Sequence, residues 1–329
     1  MSKKTFHLIT LGCAKNTVDS DSMAQLLERD GYRSVTHPSR TGVVIVNTCG
    51  FISQAREENY TFLRELAESK RPGQVLIAAG CLTQRYGEEV ARRVPGIDGI
   101  LGTRRWMDIL EIVQKLRQSP HPAPVYHLPD VPSMGTDEHG TLRSAVMGSS
   151  AYLKIADGCR RPCAFCAIPL IKGTLVSRPM EAIVSEAHLL VNSGVRELIL
   201  IAQDTTDYGH DLGLKDGLPQ LLERLTSELP PSTDQGTGLD WIRIMYAFPG
   251  AVSDRLIDVM ASHPQVLPYL DIPLQHADSK LLHSMQRPSS MDWVYKTITR
   301  MRTVLPALAI RTTWLLGYPG ETEAGFQAL

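Results

Sequence analysis

Short all-apolar runs alternate with amphipathic helical stretches along most of this chain, and that alternation constrains the fold more than any other feature. "TFHLITLG" precedes "NTVDSDSMAQLLERDGY", "GVVIVNT" precedes "FISQAREENYTFLRELAESK", and "QVLIAAG" precedes "LTQRYGEEVARRV". A shorter pair, "GIDGILG" and "MDILEIVQKLRQS", follows. Strands that are apolar on both faces and separated by helices predict a parallel sheet covered on both sides. The fold class is therefore α/β, with a doubly wound parallel-sheet domain over residues 1–118.

A second alternating series begins near residue 149. Its strands are "AYLKIADG", "RELILIAQDT", "DWIRIMYAFP", "PYLDIPLQH" and "LAIRTTWLLGYPG", each but the last followed by a helical stretch. Five strand–helix units of this kind predict a (β/α) barrel over residues 149–329, where chemistry gathers at the carboxyl ends of the strands. Gln203, Asp204, Tyr246, Gln275, His276 and Gly317 fall at those ends. Arg243 and Arg311 interrupt apolar strands and suggest an anion in the lumen. Between the two series, residues 119–148 carry prolines at 120, 122, 124, 129 and 132 and glycines at 135, 140 and 148, which break any helix. This stretch is expected to be a linker or an extended arm lying over a domain.

The six cysteines fall into two sets of three. Cys13, Cys49 and Cys81 each directly follow one of the first three strands. In open α/β sheets that edge binds ligands, and helix amino termini there favour thiolates. Three residues spread along the chain thus converge on one predicted site. Cys159, Cys163 and Cys166 form C-x-x-x-C-x-x-C just after the first strand of the second series. Disulfides need pairs, so two triplets read as metal sites. Three thiolates leave one iron of a four-iron cluster without a protein ligand, whereas a closed zinc or ferredoxin site needs a fourth. His188 lies inside a predicted helix and is a poor fourth ligand.

The formal net charge is −1, from 34 basic and 35 acidic residues. A grip on nucleic acid backbone favours a basic excess, so an RNA substrate is the weaker reading. The start "MSKKTFHLITLGC" has no cleavage site after its short apolar run and reads as a strand. A cytoplasmic protein with no membrane association is expected.

The motif C-x-x-x-C-x-x-C at this barrel position, with Phe165 before the last cysteine, resembles the radical S-adenosylmethionine enzymes. "LGCAKNTVDSD", "VNTCGFISQAREE" and "AAGCLTQRY" resemble the amino-terminal domain of the methylthiotransferases within that group. Two branches exist, one modifying transfer RNA adenosine (MiaB type) and one modifying ribosomal small-subunit protein S-twelve (RimO type). "GCAKNTVDSD", "IAQDTTDYG", "YLDIPLQHAD" and "MQRPSS" are similar to the second.

The resemblance implies two [4Fe-4S] clusters, on Cys13, Cys49 and Cys81 and on Cys159, Cys163 and Cys166, with S-adenosylmethionine as cosubstrate. Gln203, Asp204, Gln275, His276 and Arg311 become candidates for contacting S-adenosylmethionine or substrate, by position alone. The implied reaction places a methylthio group on the β-carbon of an aspartate of protein S-twelve, with electrons from a donor such as flavodoxin or ferredoxin. A non-catalytic iron–sulfur electron carrier is the alternative from another class. Members of the family continue beyond the equivalent of Leu329, so a partial barrel truncated at its carboxyl end, without the TRAM domain, is also expected.

Overall fold

The structure is a computed structural model that describes residues 4–118, 123–129, 131, 137, 139–232 and 238–329. The chain divides into two compact units, residues 1–145 with 167–174, and residues 146–166 with 175–329.

The first unit holds six strands: β1 (Thr5–Thr10), β2 (Arg33–Ser34), β3 (Val43–Thr48), β4 (Val75–Gly80), β5 (Gly99–Gly102) and β6 (Val125–His127). They form one sheet in the order β2-β1-β3-β4-β5-β6, and every registered pair is parallel. The helices are α1 (Ala14–Arg29), α2 (Ser53–Glu68), α3 (Cys81–Arg93), α4 (Ile109–Gln118) and, from the returning segment, α5 (Ile168–Lys172). Strands β3, β4 and β5 are buried throughout, because helices cover both faces. One core cluster packs Val44, Val46, Leu76 and Ala78 of the sheet against Tyr60, Leu63 and Val90 of the helices. Strand order reverses between β1 and β3, and such a reversal opens a crevice at the carboxyl edge.

One feature of this unit departs from the sequence reading. The Pro-rich stretch contributes β6, which pairs with β5 through Ile100 and Tyr126. Proline fixes φ and lacks an N–H, and an edge strand tolerates both properties. Further on, Leu142 O accepts from Ser22 Oγ at 2.8 Å, and Leu142 N donates to Gln25 Oε1 at 2.9 Å. The described part of the segment therefore lies along its domain, as the extended arm that the sequence also allowed. Pro120, Pro122, Pro132 and Gly135 fall outside the described residues, as do residues 233–237 of the loop "PPSTDQGTG".

The second sheet contains β7 (Ser144–Met147) and β8 (Ser150–Lys154), then, after the short antiparallel pair β9 (Ala156–Asp157) and β10 (Val176–Ser177), β11 (Glu197–Ile201), β12 (Trp241–Ile244), β13 (Val266–Asp271) and β14 (Ala309–Arg311). Its order is β14-β13-β12-β11-β8-β7, and the five strands from β8 onward pair parallel. These are the five strands the sequence predicts. Each crossover moves to the next position in one direction, the connectivity of a barrel wall. The crossovers carry α6 (Met180–Asn192), α7 (Gly217–Glu228), α8 (Asp254–Ser262), α9 (Ser279–Ser284) and α10 (Met291–Val304), and α11 (Glu323–Gln327) follows β14. The core joins Leu153, Leu198, Leu200, Ile242 and Leu270 of the strands to Ile183, Leu221, Leu225 and Ile257 of the helices.

Arg243 does not await an anion. Its Nε donates to Glu197 Oε1 at 2.7 Å on the neighbouring strand, and its guanidinium stacks on Tyr269. Among the described residues no helix is long and apolar enough to cross a membrane.

Candidate iron–sulfur and S-adenosylmethionine sites

Cys13, Cys49 and Cys81 follow β1, β3 and β4, which are neighbours in the first sheet. Cys13 is the N-cap of α1 and Cys81 is the first residue of α3. Two glycines show how tightly the loops meet. A Cβ on Gly12, where φ is +119°, would lie 3.1 Å from Cys49 Cβ. One on Gly50 would lie 2.6 Å from Leu82 Cα and 3.0 Å from the Cys81 carbonyl carbon. Only glycine allows this approach.

Asparagines brace the loops. Asn16 Nδ2 donates to Leu11 O at 2.9 Å and Thr48 O at 3.1 Å, and the Cys81 thiol donates to Asn16 Oδ1 at 3.8 Å. Asn47 Nδ2 donates to Asn16 O at 2.9 Å, and Asn59 Oδ1 accepts from Cys49 N at 3.1 Å. Sequence reasoning missed these roles, although an asparagine at the end of apolar β3 was a usable signal.

The three thiols differ. Burial pushes Cys81 up to about 12 although Lys172 opposes it. Burial also raises Cys49, against the pull of the Phe51 N–H. Desolvation works against ionisation of Cys13 too, but the Lys15 ammonium, the Asn16 and Lys15 N–H groups and Lys172 prevail and hold it below its ordinary value. Lys172 comes from α5 and is anchored by Asp19 Oδ2 at 3.1 Å, while Arg143 Nη2 donates to Asp19 Oδ1 at 2.6 Å.

The second triplet occupies the loop after β9. Cys159 Sγ accepts from Arg161 N at 3.4 Å, and Cys166 N donates to Cys163 O at 3.0 Å. Two arginines tie the loop to the end of β11. Arg160 donates to both oxygens of Asp207, at 2.6 and 2.7 Å, and Arg161 Nε donates to Asp204 Oδ2 at 2.7 Å. Burial keeps Asp204 above its ordinary value despite Arg161. Burial pushes Cys159 up to about 11, with Asp204 and the other two thiols adding to the rise.

The donor sets fit clusters better than single ions. All six cysteines are free thiols. Three sulfurs on one zinc ion, each about 2.3 Å from it, lie within roughly 4.6 Å of one another. Among the described residues the three-residue set that meets a 4.8 Å limit is Asp108, Glu111 and His127, and neither cysteine triplet does so. Yet Cys13 and Cys49 add to the rise of Cys81, and Cys163 and Cys166 add to that of Cys159, so the thiols of each triplet lie near enough to interact. Wider convergence of this kind suits a four-iron cluster.

The remaining sequence candidates separate. Gln203, just past β11, has both amide atoms buried without a hydrogen-bond partner among the described residues, a condition that calls for an explanation. Tyr246 and Gln275, past β12 and β13, hold φ of +62° and +75°. Strain in non-glycine residues gathers where function requires it. Asp204 is occupied as the cap of the turn Thr205–Asp207 and by Arg161. His276 is fully buried; its Nδ1 accepts from Asp278 N at 2.9 Å and its Nε2 pairs with Glu321 Oε1 at 2.9 Å. No ring nitrogen of His276 is left for a ligand. Arg311 is exposed, 3.8 Å from Asp271. His188 pairs with Glu228 at 3.2 Å, away from either triplet's own bonds.

Residues 5–102 match the model described as uncharacterized protein family UPF0004, and residues 153–329 match the Radical SAM superfamily model. The chain is 44% identical to the ribosomal protein uS12 methylthiotransferase RimO of Roseiflexus sp. (strain RS-1), over 98% of this chain and 70% of that protein. It is 47% identical to the protein of the same name from Chloroflexus aurantiacus, over 98% and 72%.

The chain belongs to the RimO family.

RimO-family membership makes it a transferase of the radical S-adenosylmethionine methylthiotransferase type, which implies S-adenosylmethionine and a four-iron cluster. The resemblance drawn from the cysteine motifs holds at this level. In fold, the chain is similar to the radical S-adenosylmethionine methyltransferase TsrM from Kitasatospora setae, at a TM-score of 0.69 and 14% identity, over 99% of this chain and 69% of that one. It is also similar to the cobalamin-dependent enzyme OxsB, at 0.63 and 9%, over 98% and 51%.

Proposed function

We propose that this protein transfers a methylthio group to the β-carbon of an aspartate in ribosomal protein uS12. The observation that carries the reading is the pair of convergent free-cysteine triplets, one at the carboxyl edge of each parallel sheet, in a chain of the RimO family.

Cys159, Cys163 and Cys166 hold one four-iron cluster, and Cys13, Cys49 and Cys81 hold a second. When bound, the first supplies the electron that cleaves S-adenosylmethionine, and the second carries the sulfur to be transferred. The chain's own work is placement. Arg160 and Arg161, locked to Asp207 and Asp204, fix the C-x-x-x-C-x-x-C loop against the end of β11. The unpartnered Gln203 amide supplies a donor and an acceptor to the cosubstrate or substrate beside it. Asn16, Asn47 and Asn59 hold the amino-terminal cysteine loops in register. The low Cys13 pKa favours the thiolate that iron requires, and the raised Cys49 and Cys81 values mean that cluster assembly releases protons.

The test is mass analysis of the product. Anaerobically reconstituted protein, given S-adenosylmethionine, dithionite, a sulfide source and uS12, is expected to add a methylthio group to one uS12 aspartate. Modification of transfer RNA adenosine instead of uS12 would place the chain's substrate in the other branch. S-adenosylmethionine left intact by the reduced protein would favour an electron carrier.

A further inference from the structure

Arg287 has no part in the reading above, and its surroundings are unusual for an arginine. It stands where the turn after α9 ends. Gln286 takes the left-handed conformation at φ +54°, and Arg287 N donates to Leu282 O at 2.9 Å. Pro288 follows and disfavours the helical region for Arg287. The backbone is therefore fixed before the side chain makes any contact. The same turn holds the cysteine loop directly, because Ala164 N donates to Met285 O at 3.0 Å.

The side chain then reaches Cys163. Nη1 lies 3.5 Å from Cys163 Sγ, Nη2 donates to Pro273 O, and the guanidinium stacks on Phe248 at 4.4 Å. The same ring receives Arg161 at 4.3 Å. Arg161 is neutralised by Asp204, but among the described residues no carboxylate pairs with Arg287, and its buried Nε has no hydrogen-bond partner. A guanidinium cannot discharge itself by losing a proton. A partly buried cation without an anion is costly unless an anion arrives. The acceptor it faces is a cysteine sulfur.

We infer that Arg287 is a positioning residue for the Cys163 cluster, holding that sulfur and supplying the positive charge that balances the bound cluster, above all in its reduced form. This rests on the reading that Cys159, Cys163 and Cys166 hold a four-iron cluster. With three thiolates, a [4Fe–4S] cluster in its 2+ state carries one net negative charge; one electron from the reductant takes it to the 1+ state and two negative charges. The fixed charge of Arg287 favours the second state more, so it raises the reduction potential. Hydrogen bonds to ligand sulfurs act in the same direction.

The test uses the full chain with Cys13, Cys49 and Cys81 replaced by Ala, so that one cluster site remains. R287Q, R287M and R287K are made in that background, and each is reconstituted with iron and sulfide. Iron content is measured first, then the reduced fraction by electron paramagnetic resonance during a dithionite titration without S-adenosylmethionine. At the parent's midpoint, the neutral variants are expected to show a reduced-to-oxidised ratio about tenfold lower, 59 mV for one electron. R287K, which keeps the charge but not the fork, should stay within about threefold of the parent. Loss of iron from R287Q and R287M but not R287K also supports the assignment, since charge would then be needed for assembly. Loss from all three points to packing alone and overturns it. So does a ratio unchanged in the neutral variants. An iron-free parent defeats the underlying cluster reading and this inference with it, whereas an iron-loaded parent with unmoved variants defeats the inference alone.

Discussion

Replacing Asp19 by Asn should destabilise the first unit severely, while replacing Lys172 by Met should not. Asp19 accepts from Arg143 at 2.6 Å and from Lys172 at 3.1 Å, and the three side chains are 3%, 5% and 1% exposed. Asparagine keeps the shape and removes the charge, so two deeply buried cations lose the carboxylate they share. Removing one member of a buried ion pair costs about 3–5 kcal/mol. At about 2–4 °C per kcal/mol for a body of this size, the midpoint should fall by roughly 6–20 °C. Lys172→Met leaves Asp19 bound to Arg143 and replaces the ammonium by an apolar end, so a cost nearer 1 kcal/mol is expected. The assay is thermal unfolding of the reduced, metal-free protein under anaerobic conditions. Trp106, stacked 3.9 Å from the Arg143 guanidinium, reports on this unit by fluorescence. An Asp19→Asn protein within 1 kcal/mol of the parent, or a Lys172→Met protein that suffers as much, would refute the reasoning.

Other outcomes can be stated briefly. Cys163→Ala should abolish reductive cleavage of S-adenosylmethionine, whereas Cys49→Ala should spare cleavage and stop methylthio transfer; a methylthiolated product from the Cys49 variant would break this division of labour. Gly50→Ala should displace the Cys49 and Cys81 loops, since its Cβ would sit 2.6 Å from Leu82 Cα, and iron held by the first triplet should drop while the second keeps its share. Asp108 is desolvated, but Arg105 and His127 outweigh that and hold its pKa below the ordinary carboxylate value. Its stabilising contribution is thus complete above the unfolded pKa of about 3.9 and is lost as pH falls through the lower folded value. Asp108→Asn should flatten the acid limb of the stability curve, and an unchanged limb would contradict the assignment.

The main parallel strands, and the positions of the six cysteines just past strand ends, were legible because they depend on local signals, apolar runs and fixed spacings. The order reversal at β1 is long-range, but placing a cysteine after each of three strands needed only the general rule for parallel sheets. What escaped was decided by contacts between distant residues. Lys172, in "IKGTLVSR", carries no local signal of its role, which appears only when α5 returns to the first unit and buries it against Asp19. Arg243 reads as a lumen cation because its partner Glu197 lies 46 positions earlier in the chain, on the neighbouring strand β11. His276 reads as a site residue by position, and only the fold reveals that Asp278 and Glu321 use both of its nitrogens. Arg287 sits in a motif that was quoted for its family likeness alone. Its approach to Cys163 spans 124 positions and leaves no periodic trace. The edge strand β6 was hidden by the prolines around it, which signal the absence of a helix but not the presence of a strand.

The central claim is that each triplet is a separate cluster site. Iron content with Mössbauer spectra, taken on the parent and on the two triple-Ala variants after anaerobic reconstitution, tests it most directly. The parent should bind about eight irons, as two four-iron clusters. Replacing Cys159, Cys163 and Cys166 together should leave about four, and replacing Cys13, Cys49 and Cys81 together should leave the other four or so. Loss of all iron from either variant, or a parent that binds about four irons in one cluster, would contradict the account.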